Sequence, residues 1–249
     1  MKLRKILMYL LCLLMCFCTM QPSCCAMSIN EKYGFYFKEA SSGNVIVQKT
    51  KEDDIQVLKN LILGEGKEFA RYLGNGFESA NPDELLVLDG GLSITVKDSH
   101  EKVAGQITLT DGSNPNQLNV GYWIGKDFRG NGYAHVAVCK VISKIWEINK
   151  NVAFEFWIDD ENISSIKTLE KVCNFLDIAL EKRETHIVEW TAEKNNHIQS
   201  TYNVNFYYDG VLNFSGQVTK EKLLETFSEE IIDKGILVKS QTTIYLLKR

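Results

Sequence analysis

At 249 residues, 45% of them hydrophobic and only three of them proline, the chain is long enough for one large domain or two small ones and too apolar for global disorder. Its formal net charge of −4 argues against a nucleic-acid binder, which would need a basic patch to meet phosphate. Five of its seven cysteines fall within the first 26 residues, so the rest of the chain is no disulfide scaffold.

Those 26 residues run from the basic "MKLRK" through the apolar "ILMYLLCLLMCFC" to the small residues of "TMQPSCCA", the layout of a secretory signal peptide with a cut after Ala26. The apolar run is shorter than the roughly 20 residues of a membrane-spanning helix. Three outcomes stay open: cleavage, retention as an anchor, or translation beginning at Met27. The first two imply an exported protein (secreted, periplasmic or membrane-tethered), with membrane contact only through this segment if it is uncleaved. The third implies a cytoplasmic one. Losing Lys2, Arg4 and Lys5 takes 28 basic residues to 25 against 32 acidic ones, a net charge of −7. Cys139 and Cys173, the two thiols that remain, sit in separate apolar segments and are expected as buried free cysteines.

Residues 28–44 read as a polar arm whose aromatic patch, "YGFYF", is suited to pack on a domain. "VIVQKT" alternates as a strand does, and "KEDDIQVLKNLILGEG" is an amphipathic helix with acids in its first turn and a glycine stop. "FARYLGNGFES" carries no clear pattern. "GLSITVKDS", "KVAGQITLTDG" and "NQLNVGYWIG" read as three strands. "YAHVAVCKVISKIWEIN" has helical spacing, "VAFEFWI" is a buried strand, and "SSIKTLEKVCNFL" is a second helix. "DIALEKRETHIVEW" and "TYNVNFYYDG" read as strands. The tail reads as one capped helix, "TKEKLLETFSEEIIDKG", followed by a strand pair, "GILVKS" and "TTIYLLKR". The fold class is therefore α/β, mostly antiparallel in its front half, with one strand–helix–strand unit at its centre.

Between strand and helix at that centre lies "GYWIGKDFRGNGYAHVAV". A glycine turn at a helix start presents unpaired N–H groups, an anion site in outline, and Gly130 and Gly132 permit a close backbone approach. Two nucleotide patterns fail here. A dinucleotide fingerprint spaced from Gly130 would need a small residue where His135 stands, and the Gly66-Lys67 pair of a would-be Walker loop is followed by Glu68.

"RGNGYA", Arg129 to Ala134, following "VGYWIG", resembles the acyl-CoA loop of the GNAT N-acetyltransferases, Arg/Gln-x-x-Gly-x-Gly/Ala. "DENISSIKTLEK" resembles the Asn-x-x-Ser-x-x-x-x-Glu-Lys segment of their ribosomal-protein alanine acetyltransferase branch. The resemblance covers roughly residues 45–190. It implies a mixed, mostly antiparallel sheet, splayed at two central parallel strands near 118–124 and 152–158, with helices on both faces. Acetyl-CoA is then the co-substrate, and a primary amine, on a protein or a small molecule, is the acceptor that attacks it directly. Backbone near Trp123 and Ile124 would pair with the pantetheine arm. The N–H groups of Arg129, Gly130, Asn131, Gly132, Tyr133 and Ala134 would hold the pyrophosphate, and Asn162 the pantetheine, with Ser165 close to the sulfur. The implied organisation is a signal or anchor at 1–26, an arm at 27–44, an acyltransferase domain at 45–210, and a C-terminal helix and strand pair at 211–249 packed on it.

The catalytic positions depart from the family's pattern. The branch often has a glutamate base where this chain has Asn119, and many relatives have a tyrosine acid where it has Leu169. Ser165 is left as the acid, with Glu155 and Asp159 as candidate bases. No metal is expected, because His100, His135, His186 and His197 share no ligand-like spacing. Two readings follow. One is an acetyl-CoA-dependent N-acyltransferase; the other is an exported or tethered interaction protein on the same scaffold, without turnover.

Overall fold

The structure is a computed structural model, described over residues 27–38, 43–65, 91–195, 201–224 and 228–249. Ser28 starts the first helix, α1 (Ile29–Tyr33): its hydroxyl accepts from Glu31 N at 3.2 Å while Glu31 Oε2 accepts from Ser28 N at 2.8 Å. Ile29, Tyr33 and Phe37 are buried in the main core, so two of the arm's four aromatics pack on the sheet, while Phe35 and Tyr36 are exposed. β1 (Val45–Lys49) leads into α2 (Glu52–Leu63), whose three first-turn acids complement the helix dipole and which stops at Gly64. Asp54, Leu58 and Ile62, four apart, form its buried stripe. Asp54 reaches Lys97 Nζ at 2.8 Å on β2 (Leu92–Asp98), fixing α2 to the sheet through a largely desolvated ion pair.

β2, β3 (Val103–Asp111) and β4 (Gln117–Ile124) form an antiparallel meander beside β1. α3 (Tyr133–Ile148) crosses over to β5 (Ala153–Asp159), which pairs parallel with β4. After α4 (Ile163–Leu176) come β6 (Glu181–Lys194), β7 (Thr201–Tyr208), β8 (Val211–Thr219), the short helices α5 (Lys220–Leu224) and α6 (Glu229–Lys234), and β9 (Ile236–Leu247). Among the described residues these strands form one sheet in the order β1-β2-β3-β4-β5-β9-β6-β7-β8, antiparallel except at β4–β5.

α3 lays Ala137, Val138, Val141, Ile142 and Ile145 on one face of the sheet, where Phe154, Phe156 and Ile158 of β5 meet them. Fully burying such side chains contributes about 1.5–3 kcal/mol each, which makes this the main stabilising layer. Trp146 Nε1 donates to Val152 O at 2.8 Å and ties the end of the helix to the start of β5. Cys139 and Cys173 are buried free thiols here, pushed up to about 12 and about 11 by burial. Because side chains alternate along a strand, Glu155 and Trp157 point to the opposite face.

The C-terminal third differs from the sequence reading. Instead of one tail helix there are two short ones, the second restarted by Ser228, whose hydroxyl caps Ile231 N. Instead of a strand pair there is a single strand, β9, which runs through Gln241 without turning and is flanked by β5 and β6. β8 was not foreseen. It pairs with β7 through Asp209-Gly210, both at positive φ, the geometry of a tight two-residue hairpin. Among the described residues no helix is long and apolar enough to cross a membrane. The expected export signal, residues 1–26, and the unpatterned "FARYLGNGFES" both lie outside them.

Candidate active site

β4 and β5 pair only from Gln117–Ala153 to Asn119–Glu155. Beyond that, β4 stays bonded to β3 as far as Ile124, and β5 to β9 as far as Asp159, so each strand turns a backbone edge toward a gap. Unpaired strand edges are strong hydrogen-bonding surface, and an extended ligand can satisfy them as an added strand would. Trp123 and Ile124 lie in this opened half with both side chains buried. The Trp123 indole donates to Gln106 Oε1 at 3.0 Å, which holds the ring within the fold.

At the mouth of the gap, α3 begins without a side-chain cap, on Gly132 in the left-handed conformation. Gly130 also has positive φ, and a Cβ there would meet nothing within 4 Å, so the space above the turn is open. The first-turn N–H groups of a helix have no partner within it, and here they point with the dipole at that space. Asn131 Nδ2 braces the turn by donating to Phe128 O and Arg129 O at 3.2 and 3.3 Å. Tyr133 and Ala134, both half-buried, pack on the core.

Arg129 differs from the expected picture. Its backbone N–H donates to Lys126 O at 3.3 Å, so the available loop donors begin at Gly130. Its guanidinium turns back, donating to Ile124 O at 2.8 Å and to Glu65 Oε2 at 2.6 Å. Glu65 Oε1 also accepts from Lys126 N at 2.6 Å. Arg129 therefore fixes the loop to the end of α2. Glu65, which the sequence analysis missed, is the other half of that strut.

On the far side of the gap, Asn162 caps α4, its Oδ1 accepting from Ser165 N at 3.1 Å. The cap uses Oδ1 and not Nδ2. Ser165 is half-buried in the first turn, and its carbonyl accepts the Tyr122 hydroxyl at 3.1 Å. Tyr122 comes from the opened half of β4, reaches across to α4 and packs edge-on to Phe156. Burial pushes its phenol up to about 12, so it stays protonated. The sequence analysis sought a tyrosine on the helix and found Leu169, which is buried in the core; the structure delivers a phenol to the first turns of that helix from the opposite strand.

The candidate bases are placed differently. Glu155 is buried at the closed end of the gap, level with Asn119. Its carboxylate accepts from Ser113 N at 3.2 Å, Ser113 Oγ at 2.9 Å and Trp157 Nε1. Asp159 ends β5, with Oδ1 accepting from Glu161 N at 2.9 Å and its carbonyl from Asn162 N at 2.8 Å, a turn that launches α4. Among the described residues no three His, Cys, Asp or Glu gather as a metal ion would require.

A sheet opened between the one parallel strand pair among the described residues, with an uncapped glycine loop at the mouth, is the binding architecture of an acyl-CoA-dependent N-acetyltransferase. The family model of the acetyltransferase (GNAT) domain matches residues 45–173, just over half of the 249 residues, and the chain belongs to that family. No curated protein matches it by sequence. Among solved structures, the ribosomal-protein alpha-N-acetyltransferase RimL in complex with coenzyme A is 12% identical, with TM-score 0.50 over 84% of this chain and 97% of that one. A Vibrio cholerae protein assigned as a ribosomal-protein-serine acetyltransferase is also 12% identical, with TM-score 0.50 over 86% and 99%. At these identities the likeness is one of fold.

Proposed function

We propose that this chain moves an acetyl group from acetyl-CoA to a primary amine by direct attack. One observation supports this most strongly: the β4–β5 gap opens above Asn119 and runs into the uncapped start of α3. When bound, acetyl-CoA supplies a thioester that amines attack. The chain's own residues do the rest. Backbone of 120–124 holds the extended arm, N–H groups from Gly130 onward hold the pyrophosphate, and Asn162 Nδ2 fixes the arm from α4. Tyr122 Oη, beside Ser165, holds a proton on the leaving-group side, and Ser165 Oγ is the second donor there. Asn119 cannot take up the acceptor's proton. That role falls to Asp159, or to Glu155 through water.

A second reading, the scaffold without turnover, is favoured by a specific pair of observations: Asn119 at the base position, and a Glu155 carboxylate already occupied by three donors. A pH–rate profile at saturating acetyl-CoA separates the two readings. Alkyl ammonium groups with a pKa of ~10.4 must deprotonate first, so without a protein base transfer should rise about tenfold per pH unit below that value. A flat profile at neutral pH that becomes steep in Asp159→Asn or Glu155→Gln would identify the base. No transfer to any amine, with acetyl-CoA still bound, would uphold the second reading.

A further inference from the structure

On the sheet face opposite α3, beside the opened half of β5, three rings stand together. Trp157 lies 6.0 Å from His186 and 5.7 Å from Tyr208, and His186 is stacked on Tyr208 at 4.6 Å. They come from β5, β6 and β7, gathered across the intervening β9. Trp157 is 41% exposed, an unusual position for so large a ring, and one of its neighbours along the strand face is buried Glu155.

Carboxylates surround the rings. Asp209 Oδ2 lies 2.7 Å from His186 Nδ1, and its Oδ1 accepts from Ile187 N at 2.8 Å. The His186 contact holds the Asp209 carboxyl below its usual range, so it is ionised at neutral pH. His186 Nε2 is buried without a hydrogen bond and faces Glu184 Oε2 at 3.5 Å. The Tyr208 phenol is pushed up to about 12 by burial and then by Asp209, Glu184 and Glu155, which shows all three carboxylates acting on one ring. Three carboxyl side chains, Glu155, Glu184 and Asp209, thus stand around this pair of rings. Arg183, adjacent in sequence to Glu184, is paired with Glu181 at 2.8 Å. Trp157 stands on β5, the strand that borders the gap, so the cluster adjoins the gap directly.

We infer that this aromatic and acidic cluster is a subsite for a second ammonium group on an aliphatic acceptor, so that the preferred acceptor is a diamine or polyamine acetylated at one end while its other end docks on Trp157, Tyr208, Glu184 and Asp209. Ring faces attract alkyl ammonium ions, the more so when partly desolvated, and flanking carboxylates supply the long-range attraction. An aliphatic chain leaving the gap past Trp157 would keep one amine in the gap and carry the other to the rings. The inference rests on the proposed transfer reaction, but the subsite is measurable without it.

The experiment uses 1,4-diaminobutane, n-butylamine and a lysine-containing peptide, each followed both by calorimetric binding and by acetyl transfer. A cation–ring contact of about 1.4 kcal/mol corresponds to roughly tenfold, so the diamine should exceed the monoamine by about that factor in affinity and in kcat/KM. Glu184→Gln and Trp157→Leu should each bring the ratio close to one. Glu184 is exposed, so its variant tests the idea even if Trp157→Leu fails to fold. Equal use and equal binding of diamine and monoamine overturn the inference and leave the transfer reaction standing. Diamine binding that depends on Glu184, without transfer, upholds the subsite and overturns the reaction instead. A peptide preferred tenfold over the diamine would overturn the assignment to small amines.

Discussion

In the proposed transfer, proton donation to the leaving group falls to one atom of Tyr122. Its hydroxyl bridges the gap to Ser165 O and remains protonated, with its pKa held near 12. Tyr122→Phe keeps the ring on Phe156 and removes only the proton. We expect kcat to fall about a hundredfold, within the usual range for a lost general acid. Acetyl-CoA affinity, measured by calorimetry, should stay within about twofold. An unchanged kcat would reduce Tyr122 to a strut between β4 and α4. Ser165→Ala, which leaves the carbonyl that Tyr122 uses, should cost less than Tyr122→Phe in the same assay; the reverse order would return the acid role to Ser165. This residue was in plain view in "VGYWIG". The glycine turn and the Asn162 cap were legible as local geometry because both rest on backbone and short spacing. Tyr122, Glu65 and the Trp157–His186–Tyr208 group were not, because each acts through a partner dozens of positions away.

At the scale of elements, the loop from Gly130 to Ala134 is held from outside. Glu65, just past α2, takes Lys126 N and the Arg129 guanidinium with its two oxygens, and its side chain is almost fully buried. Glu65→Gln removes the charge and one acceptor while keeping the shape. Because hydrogen bonds to charged groups contribute about 1.5–3 kcal/mol, acetyl-CoA affinity should weaken roughly tenfold or more as the loop loses its preset form. The effect should appear in KM and leave kcat within about twofold; a kcat effect alone would contradict the strut role. The elements themselves were legible where periodicity was strong, as in α2, α3, α4 and the strands from β1 to β5. They were illegible where tertiary context decides. Nothing local in "GILVKSQTTIYLLKR" tells a hairpin from one long strand. The choice is made by β5 and β6, which bond both of its edges. For β8 a local signal did exist, the Asp209-Gly210 turn, and the strand following it was overlooked.

Over the whole molecule, the last strand in sequence is central in space. In the sheet of the described residues, β9 lies between β5, which borders the gap, and β6, which opens the β6–β8 extension carrying His186 and Tyr208. Deleting residues 236–249 should therefore abolish cooperative unfolding and acetyl-CoA binding together, as seen by calorimetric melting; a truncated protein that still melts cooperatively would mean that residues 45–173 fold without the strand. The central claim is that the gap and the glycine loop form one acetyl-CoA site. Its most direct test is a calorimetric titration of acetyl-CoA into the wild-type protein and into Gly132→Val. Gly132 has φ +75°, and a Cβ there meets His135 Cε1 at 2.9 Å, so valine both strains the turn and fills the cradle. The account predicts saturable one-to-one binding to the wild type and none to a variant that is still folded. Equal binding to both, or no binding to the wild type, would contradict it.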